Sequence, residues 1–201
     1  SRIPFPRITF AEAKYEYNTD KPDLRKDFNS EFAFAWVVDF PLFKYNTEEK
    51  RWESEHHPFT APRDEDLTLL EKEPGKVKSR SYDLVLNGVE LGSGSIRIHK
   101  SELQERIFKI IGIDKENASK RFGFLLEAFQ FGAPPHGGFA FGIDRLLSIL
   151  SGESSIREVI TFPKTSAGVC PLTGAPSDVD EKQLDELNLT IKRSRLKSSG
   201  I

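Results

Sequence analysis

The sequence contains no methionine and only one cysteine, Cys170, among its 201 residues. A chain without methionine does not begin at an initiator residue, so we expect either a processed start or a piece of a longer protein. A single cysteine excludes an internal disulfide. No Cys or His lies near Cys170 at metal-ligand spacing, which argues against a structural zinc site. We interpret Cys170 as a small apolar filler.

Long apolar runs and an excess of charge of one sign are also missing. No run approaches the roughly 20 apolar residues that a membrane-spanning helix needs, and the first residues lack the features of a signal peptide. The formal net charge is −2, which argues against nonspecific coating of nucleic acid, since that requires clustered cations. With 37% apolar residues, the chain can bury one substantial core. We therefore expect a globular protein in the cytoplasm that is not associated with a membrane.

The most informative stretch, residues 137–150, begins with a short apolar run and ends with leucines at helical spacing before Gly152. This pattern predicts a strand followed by a helix. Glycines in the strand let a ligand approach the backbone, and the helix start offers N–H groups and partial positive charge. Arg145 adds a guanidinium that can hold a phosphate through two parallel hydrogen bonds. The stretch favours an anion site, such as one for a nucleotide triphosphate tail; a buried strand and core helix with one surface arginine explain the spacing equally well.

The dipeptide Asn87-Gly88, between two apolar runs, is a strong hairpin signal because both turn positions need a positive φ. In the resulting register Val85 faces Glu90, so Asp83 and Glu90 share one face of the hairpin and Gly92 lies opposite Asp83. Two such carboxylates could hold a hard divalent cation through waters and phosphate oxygens, as magnesium usually binds. Two exposed carboxylates on the solvated face of a hairpin are the alternative.

Small residues at 92–95 interrupt the second strand of this hairpin and suggest a bulge or a closely approaching ligand. Arg97 follows between two isoleucines, so its side chain should point away from the side that they bury. Because a bulge resets the alternation, the sequence leaves open whether Arg97 shares a face with Glu90.

The adjacent residues His56 and His57 fall short of a metal site, because a strand would send their side chains to opposite faces. One of them could face a pocket. A surface pair that titrates near neutral pH is the alternative.

Local signals predict the remaining elements. Thr9 with Glu12 forms a capping box that starts a short helix, and Ser101 with Gln104 forms a second one. Further predicted elements are a buried strand at 32–40, a hairpin at 44–51, a helix at 115–131 and a short strand at 158–162. The predicted connections are a solvated segment at 20–25, a mobile excursion at 62–80 and a basic tail at 192–197.

Together these pieces resemble one family. Residues 138–145, GFAFGIDR, look like motif three of the class II aminoacyl-tRNA synthetases. Five companions in the right order narrow the resemblance to the bacterial-type aspartyl-tRNA synthetases, from residue 6 to about residue 191. These companions are 20–25 (DKPDLR), 36–41 (WVVDFP), 56–60 (HHPFT), 87–95 (NGVELGSGS) and 162–165 (FPKT).

The resemblance implies an α+β fold in which an antiparallel sheet is flanked by helices, with ATP bound across the sheet. It implies a ligase that joins aspartate to AMP, releases pyrophosphate and passes the aspartyl group to the 3′ end of a tRNA. By position, Arg145 would contact the terminal phosphate of ATP, and Gly142, Ile143 and Asp144 would form the adjoining wall. Glu90 would also belong to the ATP site.

The remaining roles follow from the same resemblance. Asp83 and Glu90 would carry Mg2+, which agrees with their predicted common face. Arg97 would pair with the side-chain carboxylate of L-aspartate, and His56 would contact the amino acid. A bidentate arginine is a physical basis for choosing aspartate over its amide. The resemblance implies no covalent enzyme intermediate and no general base.

Two departures from the family qualify the resemblance. Few residues separate Arg25 from Glu31, where the bacterial family usually inserts a domain, so we expect a compact variant. Nothing before Pro6 resembles the anticodon-binding barrel, the dimer-forming motif one or the motif two arginine. We therefore expect residues 1–201 to form the C-terminal portion of a catalytic domain, with 192–201 as a flexible tail. We expect this piece alone to have little or no aspartate activation.

The implied partners are L-aspartate, tRNA(Asp) and, in the full-length parent, a second subunit of a homodimer. Whether tRNA(Asn) is also charged stays open, because the sequence shows no anticodon-reading part. Two alternatives stay open as well. The chain could be a sister enzyme for asparagine or lysine, or a noncatalytic module that binds ATP or tRNA.

Overall fold

The computed structural model describes residues 3–191. The described residues fall in two compact units, which divide between residues 146 and 147. The first unit holds every strand of the described residues. The second unit, described as far as residue 191, consists of helical segments and turns. The predicted tail at 192–201 lies outside the described residues.

The strands of the described residues form two sheets. They are β1 (Arg7–Thr9), β2 (Phe34–Val38), β3 (Phe43–Asn46), β4 (Arg51–Ser54), β5 (Ser81–Leu86), β6 (Val89–Ile96) and β7 (Gly137–Phe141). One sheet has the order β1-β2-β5-β6-β7, and β3 pairs with β4 in a separate hairpin. All neighbours in the larger sheet are antiparallel except β1 and β2, which are parallel. The predicted α+β class is confirmed. One pair is parallel because helices between β1 and β2 return the chain to the same end of the sheet.

The helices cover the rest of the regular structure. They are α1 (Phe10–Tyr17), α2 (Arg25–Phe28), α3 (Ser101–Ile110), α4 (Lys115–Gln130), α5 (Ile143–Leu150) and α6 (Glu181–Glu186), with 3₁₀ turns at Asp64–Asp66, Pro74–Lys76 and Ile156–Glu158. The capping box of α1 is confirmed, since the Thr9 hydroxyl accepts from the Glu12 N–H and the Glu12 carboxylate accepts from the Thr9 N–H. The second predicted box is wrong. Helix α3 begins at Ser101, and the buried Gln104 donates its amide to the Pro58 carbonyl at 2.7 Å instead.

The hairpin at Asn87-Gly88 joins β5 to β6 as predicted, and both turn residues have a positive φ. Its register differs from the prediction at one point. Gly92 lies opposite Leu84, and Asp83 lies opposite Ser93, because a bulge leaves Leu91 unmatched. The sequence signalled a bulge in this strand and could not place it.

Two glycines of β6 are required by the close approach of β7. A Cβ atom on Gly92 would lie 2.3 Å from the carbonyl oxygen of Ala140, and one on Gly94 would lie 2.2 Å from that of Gly138. Of the two interpretations of residues 92–95, the bulge is confirmed, and the adjacent strand β7 is what approaches these glycines closely.

The main core of the first unit also corrects the prediction for residues 62–80. Leu70 and Val77 are fully buried there beside residues of α3 and α4, and Pro62 bridges to Ser79 across the segment. The predicted mobile excursion is wrong, because a few widely spaced apolar side chains are enough to anchor a charged segment.

The second half of the chain gives one confirmation and one correction. Helix α4 covers the predicted range, with a non-helical φ of −132° at Phe122 where it kinks. The predicted strand at 158–162 is wrong. This segment begins at the end of a 3₁₀ turn and continues as irregular bends, and no described strand pairs with it. A short apolar run does not distinguish a strand from other structure.

Candidate functional site

The polar face of the β5-β6 hairpin brings the two predicted metal ligands together. Val85 lies opposite Glu90, and Asp83 is two residues before Val85, so Asp83 and Glu90 share one face. Ser93 lies opposite Asp83 on the same face. The common face that the sequence predicted is confirmed, although the bulge brings Ser93 and not Gly92 opposite Asp83.

Asp83 is the buried member of this pair. Its exposed fraction is 5%, and its Oδ1 atom has no hydrogen-bond partner among the described residues. Burial raises the pKa of Asp83, a hydrogen bond from Ser93 opposes this shift, and the charge of Glu90 adds to it. A buried carboxylate oxygen without a partner is costly in an apolar surrounding, and a bound cation would remove that cost.

Two carboxylates suit one kind of cation better than others. Residues 3–191 contain no cluster of three or more His, Cys, Asp or Glu side chains arranged to hold a metal ion. Magnesium usually takes one or two protein carboxylates and completes its shell with waters and substrate phosphates. The hairpin residues Asp83 and Glu90 fit that donor set.

A third charged residue at this point, Lys21, was not predicted from the sequence. Its ammonium nitrogen lies 3.2 Å from Glu90 Oε2. The predicted solvated connection at 20–25 is wrong in this respect, because Leu24 is buried in a small core cluster and the backbone beside it reaches the hairpin turn. The alternation of apolar and charged residues at 21–24 was the available signal.

Arg145 reaches the same corner of the sheet from the start of α5. Its Nη1 atom donates to the backbone carbonyl of Glu90 at 2.7 Å. The backbone N–H of Gly142 donates to the carbonyl of Leu91 at 2.6 Å, which anchors the turn between β7 and α5 to β6. Ile143 and Asp144 follow this turn and are exposed. The structure therefore places Arg145 beside Glu90 in the first unit.

Arg97 continues β6 toward the other end of the hairpin. Its backbone N–H donates to the His136 carbonyl at 2.9 Å, and it forms a bridge with Thr60. Alternation from Ser93 places Arg97 on the face that carries Asp83. In the described part of the chain no carboxylate pairs with the Arg97 guanidinium, and its side-chain partner is His57 Nδ1 at 3.2 Å.

The two histidines differ in their surroundings. The ring of His56 is exposed and packs edge-on against Phe40, with 5.1 Å between the ring centroids. His57 is half-buried, and burial together with the nearby charges of Arg97 and His56 lowers its pKa to about 4. The residue pattern left open which histidine faces a pocket, the family resemblance assigned the amino-acid contact to His56, and neither predicted the contact between His57 and Arg97.

The sequence family described as tRNA synthetases class II (D, K and N) matches residues 1–166. The chain therefore belongs to this family of class II synthetases, whose letters denote aspartate, lysine and asparagine. No helix within residues 3–191 is long and apolar enough to cross a membrane.

Among individual relatives, the chain is 63% identical over 158 residues to an aspartate–tRNA(Asp/Asn) ligase of Dictyoglomus turgidum, which covers 79% of this chain and 27% of the relative. It is 59% identical over 170 residues to an aspartate–tRNA ligase of Clostridium tetani, covering 85% of this chain and 28% of the relative. The expected resemblance to bacterial aspartyl-tRNA synthetases is confirmed. The chain spans less than a third of the length of these relatives.

A solved structure supports the fold. The aspartyl tRNA synthetase from Entamoeba histolytica superimposes with a TM-score of 0.60 at 24% identity, covering 84% of this chain and 33% of that chain. At this identity the likeness concerns the fold.

Proposed function

We propose that this chain supplies the ATP, magnesium and amino-acid contacts of an aspartate–tRNA ligase. The reaction joins L-aspartate to AMP from ATP with release of pyrophosphate, and the aspartyl group then passes to the 3′ end of tRNA. One observation carries the proposal. Asp83, Glu90 and Arg145 meet at one end of a hairpin face on which Arg97, without a carboxylate partner, lies farther along.

Asp83 and Glu90 would hold Mg2+, for which the unpartnered Asp83 Oδ1 is the physical support. When bound, the ion would offset negative charge on the phosphates of ATP. The ammonium of Lys21, paired with Glu90, places one more positive charge beside the same carboxylate.

Arg145 would grip the terminal phosphate of ATP. Its hydrogen bond to the Glu90 carbonyl holds the guanidinium, which always carries its charge, at the end of the hairpin where the carboxylates lie. Gly142, Ile143 and Asp144 would line the adjoining wall. The anchored turn before α5 keeps Arg145 in place before the nucleotide binds, which is the condition for catalysis by positioning.

Arg97 would recognise the side-chain carboxylate of aspartate through a bidentate pair. Asparagine has a neutral side-chain amide in place of the carboxylate. The charge attraction to Arg97 would be lost, and the amide NH2 group would point a donor at the guanidinium, which has only donors. The exposed His56 would contact the amino acid.

The partners proposed for the whole protein follow from its relatives. We propose L-aspartate and tRNA(Asp) as substrates, tRNA(Asn) as a further one in view of the Dictyoglomus turgidum relative, a homodimer and a cytoplasmic location. A sister enzyme for asparagine or lysine is less compatible with an Arg97 guanidinium whose side-chain partner is a neutral ring and not a carboxylate. A noncatalytic ATP-binding module remains the second candidate, because Arg145 and the carboxylate pair alone would suffice for it.

Calorimetric titration with sulfamoyl analogues of aspartyl-, asparaginyl- and lysyl-adenylate, each with Mg2+, separates these candidates. We expect the aspartyl analogue to bind at least about tenfold more tightly than the other two, as a charge-assisted pair would give. Equal affinity for all three, with Mg2+-ATP still bound, would favour the noncatalytic module.

Aspartate-dependent pyrophosphate exchange tests the reaction itself. We expect these 201 residues alone to exchange pyrophosphate far more slowly than a full synthetase, since they span less than a third of their relatives. A rate comparable to that of a full synthetase would contradict this expectation.

A further inference from the structure

The Arg97 guanidinium is held by a neutral ring and not by an acid. An arginine side chain has only donors, so the His57 Nδ1 atom, 3.2 Å from Arg97 Nη1, must accept. The backbone N–H of Phe59 also donates to Nδ1, at 3.2 Å. Two donors on one side fix the neutral ring with its proton on Nε2.

The other side of the ring completes a hydrogen-bond chain. His57 Nε2 lies 3.5 Å from the Thr60 hydroxyl, which in turn donates to the Ser95 hydroxyl at 3.4 Å. Thr60 and Ser95 are both buried. These hydrogen bonds therefore connect the ring to a buried residue of β6, the strand that leads into Arg97.

The loop that carries His57 is also tied down. The next residue, Pro58, accepts a hydrogen bond from the buried Gln104 of α3, and the His57 carbonyl accepts from the Thr60 N–H at 3.3 Å. The ring of His57 packs at 5.9 Å from that of Phe59, whose own ring lies against Phe108 and Phe122 of the core. His57 thus has contacts that fix its position before any ligand arrives.

We propose that His57 is a positioning residue that sets the direction of the Arg97 guanidinium and leaves its charge for a carboxylate ligand. An aspartate or glutamate at position 57 would hold Arg97 equally well and would neutralise it. A neutral acceptor orients the guanidinium without competing for the ligand. The functional meaning rests on the proposed function, because Arg97 is there assigned to the side chain of aspartate.

Rotation of the Arg97 guanidinium about its Nε–Cζ bond, measured by nitrogen-15 NMR without ligand, tests the proposal directly. His57→Leu removes the acceptor, so we expect faster rotation. His57→Asn retains an oxygen close to the position of Nδ1, so we expect rotation like that of the unmodified protein. His136→Leu, which removes an exposed histidine, is the matched control and should leave rotation unchanged. Unchanged rotation in His57→Leu, or equal acceleration in both His57 variants, would overturn the proposal.

The contact between Arg97 and His57 can also be observed through the NMR signals of the histidine ring. The nitrogen spectrum of His57 should show the proton on Nε2, and the ring should titrate near pH 4. Arg97→Met removes a neighbouring positive charge, so the titration of His57 should move to higher pH. A proton on Nδ1, or a titration that Arg97→Met does not move, would contradict the contact.

The adenylate analogues connect the contact with specificity. His57→Leu should reduce the preference for the aspartyl over the asparaginyl analogue by about tenfold, the size of one hydrogen bond to a charged group, while His57→Asn should keep it. If the unmodified protein shows no preference, the proposed function fails, and the NMR rotation still decides whether His57 orients Arg97. If the preference exists and His57→Leu keeps it, the role of His57 in specificity is wrong.

Discussion

The two ends of the β5-β6 hairpin face differ in how their charged side chains are partnered. At the turn end, Glu90 is paired with Lys21 and lies beside Arg145, while Asp83 keeps one buried oxygen without a partner. At the far end, Arg97 is held by the neutral ring of His57 and has no carboxylate partner in the described residues. Within residues 3–191, a buried carboxylate oxygen at the turn end lacks a partner, and a guanidinium at the far end lacks a carboxylate. The turn end therefore suits a cation and the far end an anionic ligand, and substitutions at either end test this difference.

The largest expected effect is at Arg97. Arg97→Met should weaken the aspartyl-adenylate analogue by about a hundredfold and abolish its advantage over the asparaginyl analogue, because a desolvated charge pair is lost. Calorimetric titration of both analogues measures this change. Arg80→Met is the matched control, since Arg80 is exposed and lies 3.9 Å from Asp64 in a surface pair. An equal loss in both variants would remove the distinction between the two ends.

The next effect is at Asp83. Asp83→Asn should reduce Mn2+ affinity, measured by electron paramagnetic resonance, by more than about tenfold, because Mn2+ can replace Mg2+ at oxygen ligands. The same change should raise the Tm by roughly 2–4 °C. Burial raises the pKa of Asp83, so the ionised group destabilises the fold above that raised pKa, and a neutral amide removes this effect at pH 7.

Asp64→Asn is the control for Asp83, since the Asp64 side chain is exposed. It should change neither the Mn2+ affinity nor the Tm measurably. A lower Tm for Asp83→Asn would show that the buried carboxylate stabilises the fold, contrary to the contrast drawn above.

A smaller effect concerns pH at the far end. The lowered pKa of His57, about 4, lies below the ordinary value of 6.5. Between these values the unfolded chain binds the proton and the folded one does not, so His57 destabilises the fold as pH falls from about 6.5 toward 4. Above pH 6.5 the ring is neutral in both states, so His57 no longer lowers the free energy of unfolding. Urea unfolding at pH 7 and pH 5 should show a smaller acid loss in His57→Asn than in the unmodified protein, and equal losses would contradict the shift.

The smallest expected effect is at Lys21. Lys21→Met removes a positive charge next to Glu90, so Mn2+ should bind about two- to fivefold more tightly, as expected for a partly exposed pair. Lys14→Met is a close control, because Lys14 pairs with Asp20 at 3.1 Å with similar exposure. Weaker Mn2+ binding in Lys21→Met would show that the ammonium orders Glu90 and does not compete with the ion.

Local chemistry allowed the sequence to predict the parts of this site that lie close together along the chain. The positive φ values at Asn87-Gly88 placed Asp83 and Glu90 on one face. The capping of α1 and the strand followed by a helix at 137–150 were predictable for the same reason. Each depends on neighbouring residues alone.

Contacts between segments that are distant along the chain could not be predicted from the sequence. Lys21 meets Glu90 only because Leu24 packs in a cluster with Ala33 and Ala35 and brings its loop to the hairpin. Gln104 reads as a capping residue, yet its amide is drawn into the core by the Pro58 carbonyl. The position of the bulge at Leu91 follows from the pairing of β6 with β5, and the small residues at 92–95 indicated only that a bulge was present in this strand.

The seam between β6 and β7 has a consequence for variation in this chain. Gly92 and Gly94 have no room for a Cβ atom, because carbonyl oxygens of β7 occupy that space. Since β7 leads directly into the turn that carries Arg145, a methyl group added at either glycine would push the arginine away from the two carboxylates. Tolerance to mutation should therefore be lowest at two residues that bear no functional group, since they set the separation between the parts of the site that do.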